Sequence, residues 1–194
     1  FIFLLMKYNP IVKEQIHKGN LFSRLQGGIQ YLKDNPIIFV FGFLSYMLFA
    51  FTLVEVHVIL PSYVHRFLQM DGNVYASAEI YYSMGAICSG VLILRVFRKI
   101  NTIASIIILL VVVSFAFYGM AVYKLLCVFF AGNLILGIAN AGVRILRTTY
   151  IFNHVPNNLI GRVNSVFSSL NIIVRMLMIG AFALPFFNID DNIR

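Results

Sequence analysis

Ile103-Ala104-Ser105-Ile106-Ile107-Ile108-Leu109-Leu110-Val111-Val112-Val113-Ser114-Phe115-Ala116-Phe117 carries no charge, and its only side-chain polar groups are the hydroxyls of Ser105 and Ser114. Wound as an α-helix it is about 22 Å long, most of a hydrocarbon core of ~30 Å. It shows no strand-like alternation and no polar face, and a helix that is apolar all round needs either a large protein core or lipid about it. The chain is too small and too apolar to supply the first: it has 194 residues, 60% hydrophobic and 11% charged, with mean hydropathy +0.88. A soluble domain carries about 25% charged residues. Lipid removes the need for a polar surface but obliges every spanning backbone to satisfy its own hydrogen bonds, by helices or a closed barrel. Runs of this length, rather than alternating ten-residue segments, select helices.

Working outward, four further runs have the same character. The sequence predicts spans from about Pro36 to Leu60, Ser77 to Phe97, Asn101 to Tyr118, Lys124 to Tyr150 and Val163 to Phe187. Asp34 and Asn35 are placed to cap the first, Pro36 suits its first position, and Pro61 marks its exit. The chain therefore reads as an all-α membrane protein of about five transmembrane helices, spread over residues 36–187. Residues 1–6 are apolar but too short to span, and read as the end of a preceding transmembrane helix. Residues 7–35 form a polar loop with a short amphipathic helix and include Gly27-Gly28. Residues 188–194 are an outer loop. We expect the chain to be part of a longer protein.

The net charge of +8 does not indicate nucleic acid, because the basic residues stand in short stretches between apolar runs. Lys7, Lys13, Lys18, Arg24, Lys33, Arg95, Arg98, Lys99, Arg147 and Arg162 fall on one side if the spans alternate, whereas Arg66, Lys124 and Arg194 fall on the other. The first side is then cytoplasmic by the positive-inside rule. Cys88 and Cys127 read as small buried residues. His57 and His65 are too isolated to hold a metal, no phosphate-binding Gly-Lys-Ser/Thr run is present, and no catalytic set or cofactor site stands out.

Several spans carry polar stripes. Asn133, Gly137, Asn140, Arg144 and Arg147 recur at steps of four and three, as do Asn164, Ser168, Asn171 and Arg175, so each set occupies one helical face. Glu79, Ser83, Ala86 and Gly90 form a weaker stripe, and the first span offers Ser45, Thr52 and Glu55. Such stripes serve either close helix packing or a shared water-filled cavity. Arg175 lies about 20 Å along its helix from Arg162, at a depth where a charge marks a pathway or an ion pair. Glu55 is the candidate partner. Glu55, Arg175, Asn171, Asn140, Asn133 and Ser168 are thus the expected pathway residues.

Gly28-Ile29-Gln30-Tyr31-Leu32-Lys33-Asp34-Asn35-Pro36 before the first span, and Val155-Pro156-Asn157-Asn158-Leu159-Ile160-Gly161-Arg162-Val163-Asn164-Ser165 between the fourth and fifth, resemble segments of the C-terminal half of major facilitator superfamily transporters. The branch most similar is that of bacterial macrolide and enterobactin exporters. The resemblance implies that the spans are helices seven to eleven, that residues 7–35 are the central cytoplasmic loop, and that a last helix and an N-terminal transporter half complete the fold. It implies alternating access in the bacterial inner membrane, with efflux of a small amphipathic molecule; coupling to protons is a separate expectation that rests on Glu55. Arg144 and Arg147, near the inner end of the fourth span, serve either a cytoplasmic gate or snorkelling to lipid headgroups, and Gly161, Arg162, Arg95 and Arg98 are the further gate candidates on that side. Leu94 to Asn101 keeps the basic residues of the family's loop motif but lacks its Gly and Asp, so these charges equally serve orientation. A non-transporting membrane scaffold or assembly subunit is the alternative.

Overall fold

The structure, a computed structural model, describes residues 21–182. Residues 1–20, the end of the fifth predicted span and the segment 188–194 lie outside it. Its elements are α1 (Leu21–Asp34), α2 (Pro36–Val54), α3 (Leu60–Arg66), α4 (Gly72–Val96), α5 (Thr102–Tyr123), α6 (Leu126–His154) and α7 (Asn157–Phe182). A π-helical turn, Glu55–Ile59, joins α2 to α3 without a break. Among the described residues all regular structure is helical. Five helices are long and apolar enough to cross a membrane: Pro36–Arg66, Gly72–Val96, Thr102–Tyr123, Leu126–His154 and Asn157–Phe182.

The expected spans are present, but their ends move. Pro61 does not terminate the first. Proline has no N–H and its ring clashes with the carbonyl four residues back, which normally kinks or stops a helix. Here the preceding turn widens, and the Leu60 N–H donates to the Glu55 carbonyl five residues back. The widening lets the helix run on to Arg66. The segment read as a linker after Pro156 is also helical, since α7 starts at Asn157.

Asn35 precedes α2 but does not cap it by its side chain. Its amide turns back and donates to the Tyr31 carbonyl (3.0 Å), closing α1 instead. At α5 the cap is regular, with Asn101 Oδ1 accepting from the Ile103 N–H at 3.1 Å. Gly27 and Gly28, read as loop residues, lie inside α1. A Cβ on Gly28 would meet the Arg162 carbonyl at 2.9 Å, so glycine there permits close approach of α1 to the first turns of α7.

Packing divides into two apolar cores. One joins α2, α3, α4, α5 and α6 around Phe129, Leu136, Ala139 and Val143. The other joins α1, the first turns of α2, the end of α6 and α7 around Val163, Val166 and Phe167. Within the first, α4 and α6 touch backbone to backbone: a Cβ on Gly85 would run into the Leu134 carbonyl, and one on Gly137 into the Tyr82 carbonyl. Small residues at a crossing point are how helices gain packing where lipid offers no hydrophobic drive. Cys88 and Cys127 are free and exposed rather than buried. They stand on solvent-accessible faces of α4 and α6.

Candidate functional site

Two polar clusters form inside the bundle. The first is centred on Tyr46, midway along α2. Arg147, 5% exposed on α6, donates from Nη1 to the Ser45 carbonyl at 3.1 Å. Its guanidinium carbon stands 3.5 Å from the centroid of the Tyr46 ring. From α7, Asn171 Nδ2 donates to the Tyr46 carbonyl at 2.9 Å, while the Tyr46 hydroxyl donates to Asn164 Oδ1 at 2.7 Å. One tyrosine thus ties α2, α6 and α7 together. The cation is held by a ring face and a carbonyl dipole rather than by a carboxylate, an arrangement suited to the planar guanidinium. Gly42, one turn before Tyr46, makes room for the Phe167 ring on the same face.

The second cluster surrounds the π-helical turn. Glu55 is 3% exposed, and its Oε2 has no hydrogen-bond partner. Glu79 on α4 lies within electrostatic range of it, and Tyr75, one turn earlier on that face, points its hydroxyl at the Val56 carbonyl, 3.5 Å away. Tyr82, three residues beyond Glu79, accepts from Asn140 Nδ2 of α6 at 2.5 Å. Arg144 is exposed, one turn further along α6, and acts electrostatically on Tyr82. Glu55 and Glu79 thus lie within electrostatic range of the Tyr75 and Tyr82 hydroxyls, the second of which is bonded to Asn140.

The expected pathway residues are therefore only partly assembled. Asn140 joins the Glu55 side and Asn171 the Tyr46 side. Asn133 is buried, but its amide donates to the Phe129 carbonyl of its own helix at 2.9 Å. Ser168 is exposed on α7. The structure does not bring Glu55 and Arg175 together. Glu55 faces α4, whereas half-buried Arg175 sits one turn beyond Asn171 on α7, which packs against α2 on its Tyr46 side.

Of the gate residues, Arg147 lies inside the bundle, whereas Arg95 and Arg98 are exposed at the end of α4 and in the following turn. Arg162 is half-buried beneath α1, its Nη1 beside Gly27. Gly161 opens onto free space.

Sequence reading passed over Tyr46, Tyr75 and Tyr82. Tyr75, Glu79 and Tyr82 recur at steps of four and three, which is a helical face, and Tyr46 adjoins Ser45 in an otherwise apolar run. Tyrosine ranks with the apolar residues in hydropathy, which hides both signals. Among the described residues no three His, Cys, Asp or Glu side chains converge as metal ligands would. Comparison with family models, with curated proteins and with solved structures returned no match.

Proposed function

We propose that this chain forms five spans of the C-terminal half of a secondary active transporter of the major facilitator type, in a bacterial inner membrane. It rocks against an N-terminal half around a site near mid-membrane and exports a small amphipathic molecule. The observation that carries this reading is Glu55: a carboxyl buried about two thirds of the way along a 31-residue apolar helix, with an unpartnered oxygen. Removing a polar group from water without a partner is costly, and intramembrane acids are retained where they line a pathway or relay protons. A proton is the smallest species that neutralises such a group, and its release when the bundle opens to water would couple transport to a proton gradient. Exposed Arg144, Asn164, Ser165 and Ser168 support the same reading, because they leave α6 and α7 with polar surface that a facing helix bundle would cover better than lipid.

The test is efflux of ethidium, a fluorescent amphipathic cation, from liposomes holding the protein expressed from its whole coding sequence. An imposed proton gradient should drive efflux, an uncoupler should abolish it, and Glu55→Gln should remove the dependence on the gradient. Gradient-driven efflux unchanged in Glu55→Gln would take Glu55 out of the coupling. No efflux of any amphipathic probe by the intact protein would leave a membrane scaffold as the better reading.

A further inference from the structure

A lateral groove of about 420 Å³ runs between α2 and α5. Ile37, Val40 and Leu44 form one wall and Ile106, Ile107 and Leu110 the other, with hardly a polar atom between them. From Pro36 to Ser45, both of which line it, the groove follows α2 for about 14 Å, close to the ~15 Å depth of a single leaflet's hydrocarbon.

The two ends of the groove differ. α2 and α5 both begin at the same end, at Pro36 and Thr102, so the positive ends of two helix dipoles flank that mouth. Lys33, three residues before Pro36, and Arg98 and Lys99, within five residues of Ile103, are all exposed there. The one acid in 31–36 and 97–103 is Asp34, which is engaged by Gln30 Nε2 at 3.3 Å. An apolar slot one leaflet deep with a cationic mouth matches an acyl chain joined to a phosphate.

We propose that this groove is a binding site for an anionic phospholipid of the leaflet on the basic side. One acyl chain lies between α2 and α5, and the headgroup phosphate is held by Lys33, Arg98 and Lys99. The site rests on the membrane-spanning reading of the five helices and is independent of transport.

These 194 residues contain no tryptophan, so with any tryptophan elsewhere in the whole protein replaced by phenylalanine, a single introduced one reports its own surroundings. Ile107→Trp in the groove, and Ile87→Trp on the outward face of α4 as a control, are placed in that background. Each is reconstituted in phosphatidylcholine vesicles containing brominated phosphatidylglycerol or, at equal mole fraction, brominated phosphatidylcholine. The reporter at position 107 should be quenched preferentially by the anionic lipid, by roughly fivefold in relative affinity for each basic residue engaged. The reporter at position 87 should not discriminate.

Lys33→Gln, Arg98→Gln and Lys99→Gln together should abolish the preference. The position-87 reporter, carried in that triple variant, shows whether the bundle still inserts. Should it fail to insert, raising salt to about 0.5 M in the unneutralised protein must weaken the preference instead. Equal quenching by the two lipids at position 107 overturns the proposal, as does a preference that survives both neutralisation and salt. Absence of quenching by either lipid at position 107, with normal quenching at position 87, also overturns it, because the groove is then filled by protein or by another ligand.

Discussion

Arg147 carries its guanidinium carbon 3.5 Å from the centroid of the Tyr46 ring, in a bundle where no carboxylate among the described residues sits against it. A cation so placed is held by ring quadrupole and carbonyl dipole. Arg147→Ala should destabilise the protein by about 2–4 kcal/mol through lost packing and lost cation–π contact. Arg147→Lys should recover less than half of that, because an ammonium cannot combine the ring contact with the bond to Ser45. Reversible unfolding in mixed micelles measures both. Equal stability of the lysine variant and the parent would mean that charge alone matters.

The Tyr46 ring and hydroxyl have separable roles. Tyr46→Phe removes the donor to Asn164 and should cost about 1 kcal/mol. Tyr46→Ala also removes the ring beneath Arg147 and its stacking on Phe167, whose centroid is 5.6 Å away, and should cost about 3–5 kcal/mol. The same unfolding measurement ranks the two, and a phenylalanine variant as damaged as the alanine one would place the whole effect in the hydroxyl.

Glycines in this bundle divide by what a methyl group would meet. Gly137→Ala and Gly85→Ala push a carbon into a backbone carbonyl of the neighbouring helix, where nothing flexible can yield, and each should cost more than about 2 kcal/mol. Gly90→Ala and Gly161→Ala meet nothing within 4 Å and should be neutral or stabilising by up to about 1 kcal/mol, from helix propensity. Thermal denaturation of the four variants side by side checks the division.

Pro61 sustains the wide turn before it. Pro61→Ala restores an N–H and removes the ring, so Glu55–Ile59 should relax towards regular α-helix. Amide exchange across that turn should slow by about fivefold, the equivalent of one net hydrogen bond of ~1 kcal/mol. Unchanged exchange would mean that the turn is held open by packing around Glu55 instead of by the proline.

Hydropathy made the five spans legible because burial in lipid demands long apolar runs whatever the packing. Their ends were harder to read. Pro61 is a stop signal in isolation, and only the π-helical turn upstream, invisible to composition, lets the helix pass it. Gly27-Gly28 has the composition of a loop, and its use as a contact surface depends on Arg162 and Val166, more than 130 residues away. Helical periodicity placed Asn140, Arg144 and Arg147 on one face of α6, and Asn164, Ser168 and Asn171 on one face of α7, yet along each face some residues are buried and others exposed. Periodicity does not say which neighbour that face meets. That is why Glu55 and Arg175, both polar and deep, were expected to meet and do not.

The Tyr46 tie has a consequence for how the chain is made. Its bonds to α7 close sequence separations of 118 and 125 residues, whereas α4, α5 and α6 pack within one consecutive stretch. Contacts of low separation form first, and long closures wait for the chain to supply their partner. At ribosomal rates of about 5–20 residues per second, α2 spends roughly 6–25 s in the membrane before Asn164 and Asn171 exist to meet it. During that interval the Tyr46 face is an unpaired surface in a nascent protein. Closing it onto α7 is then a late step in the assembly of the bundle.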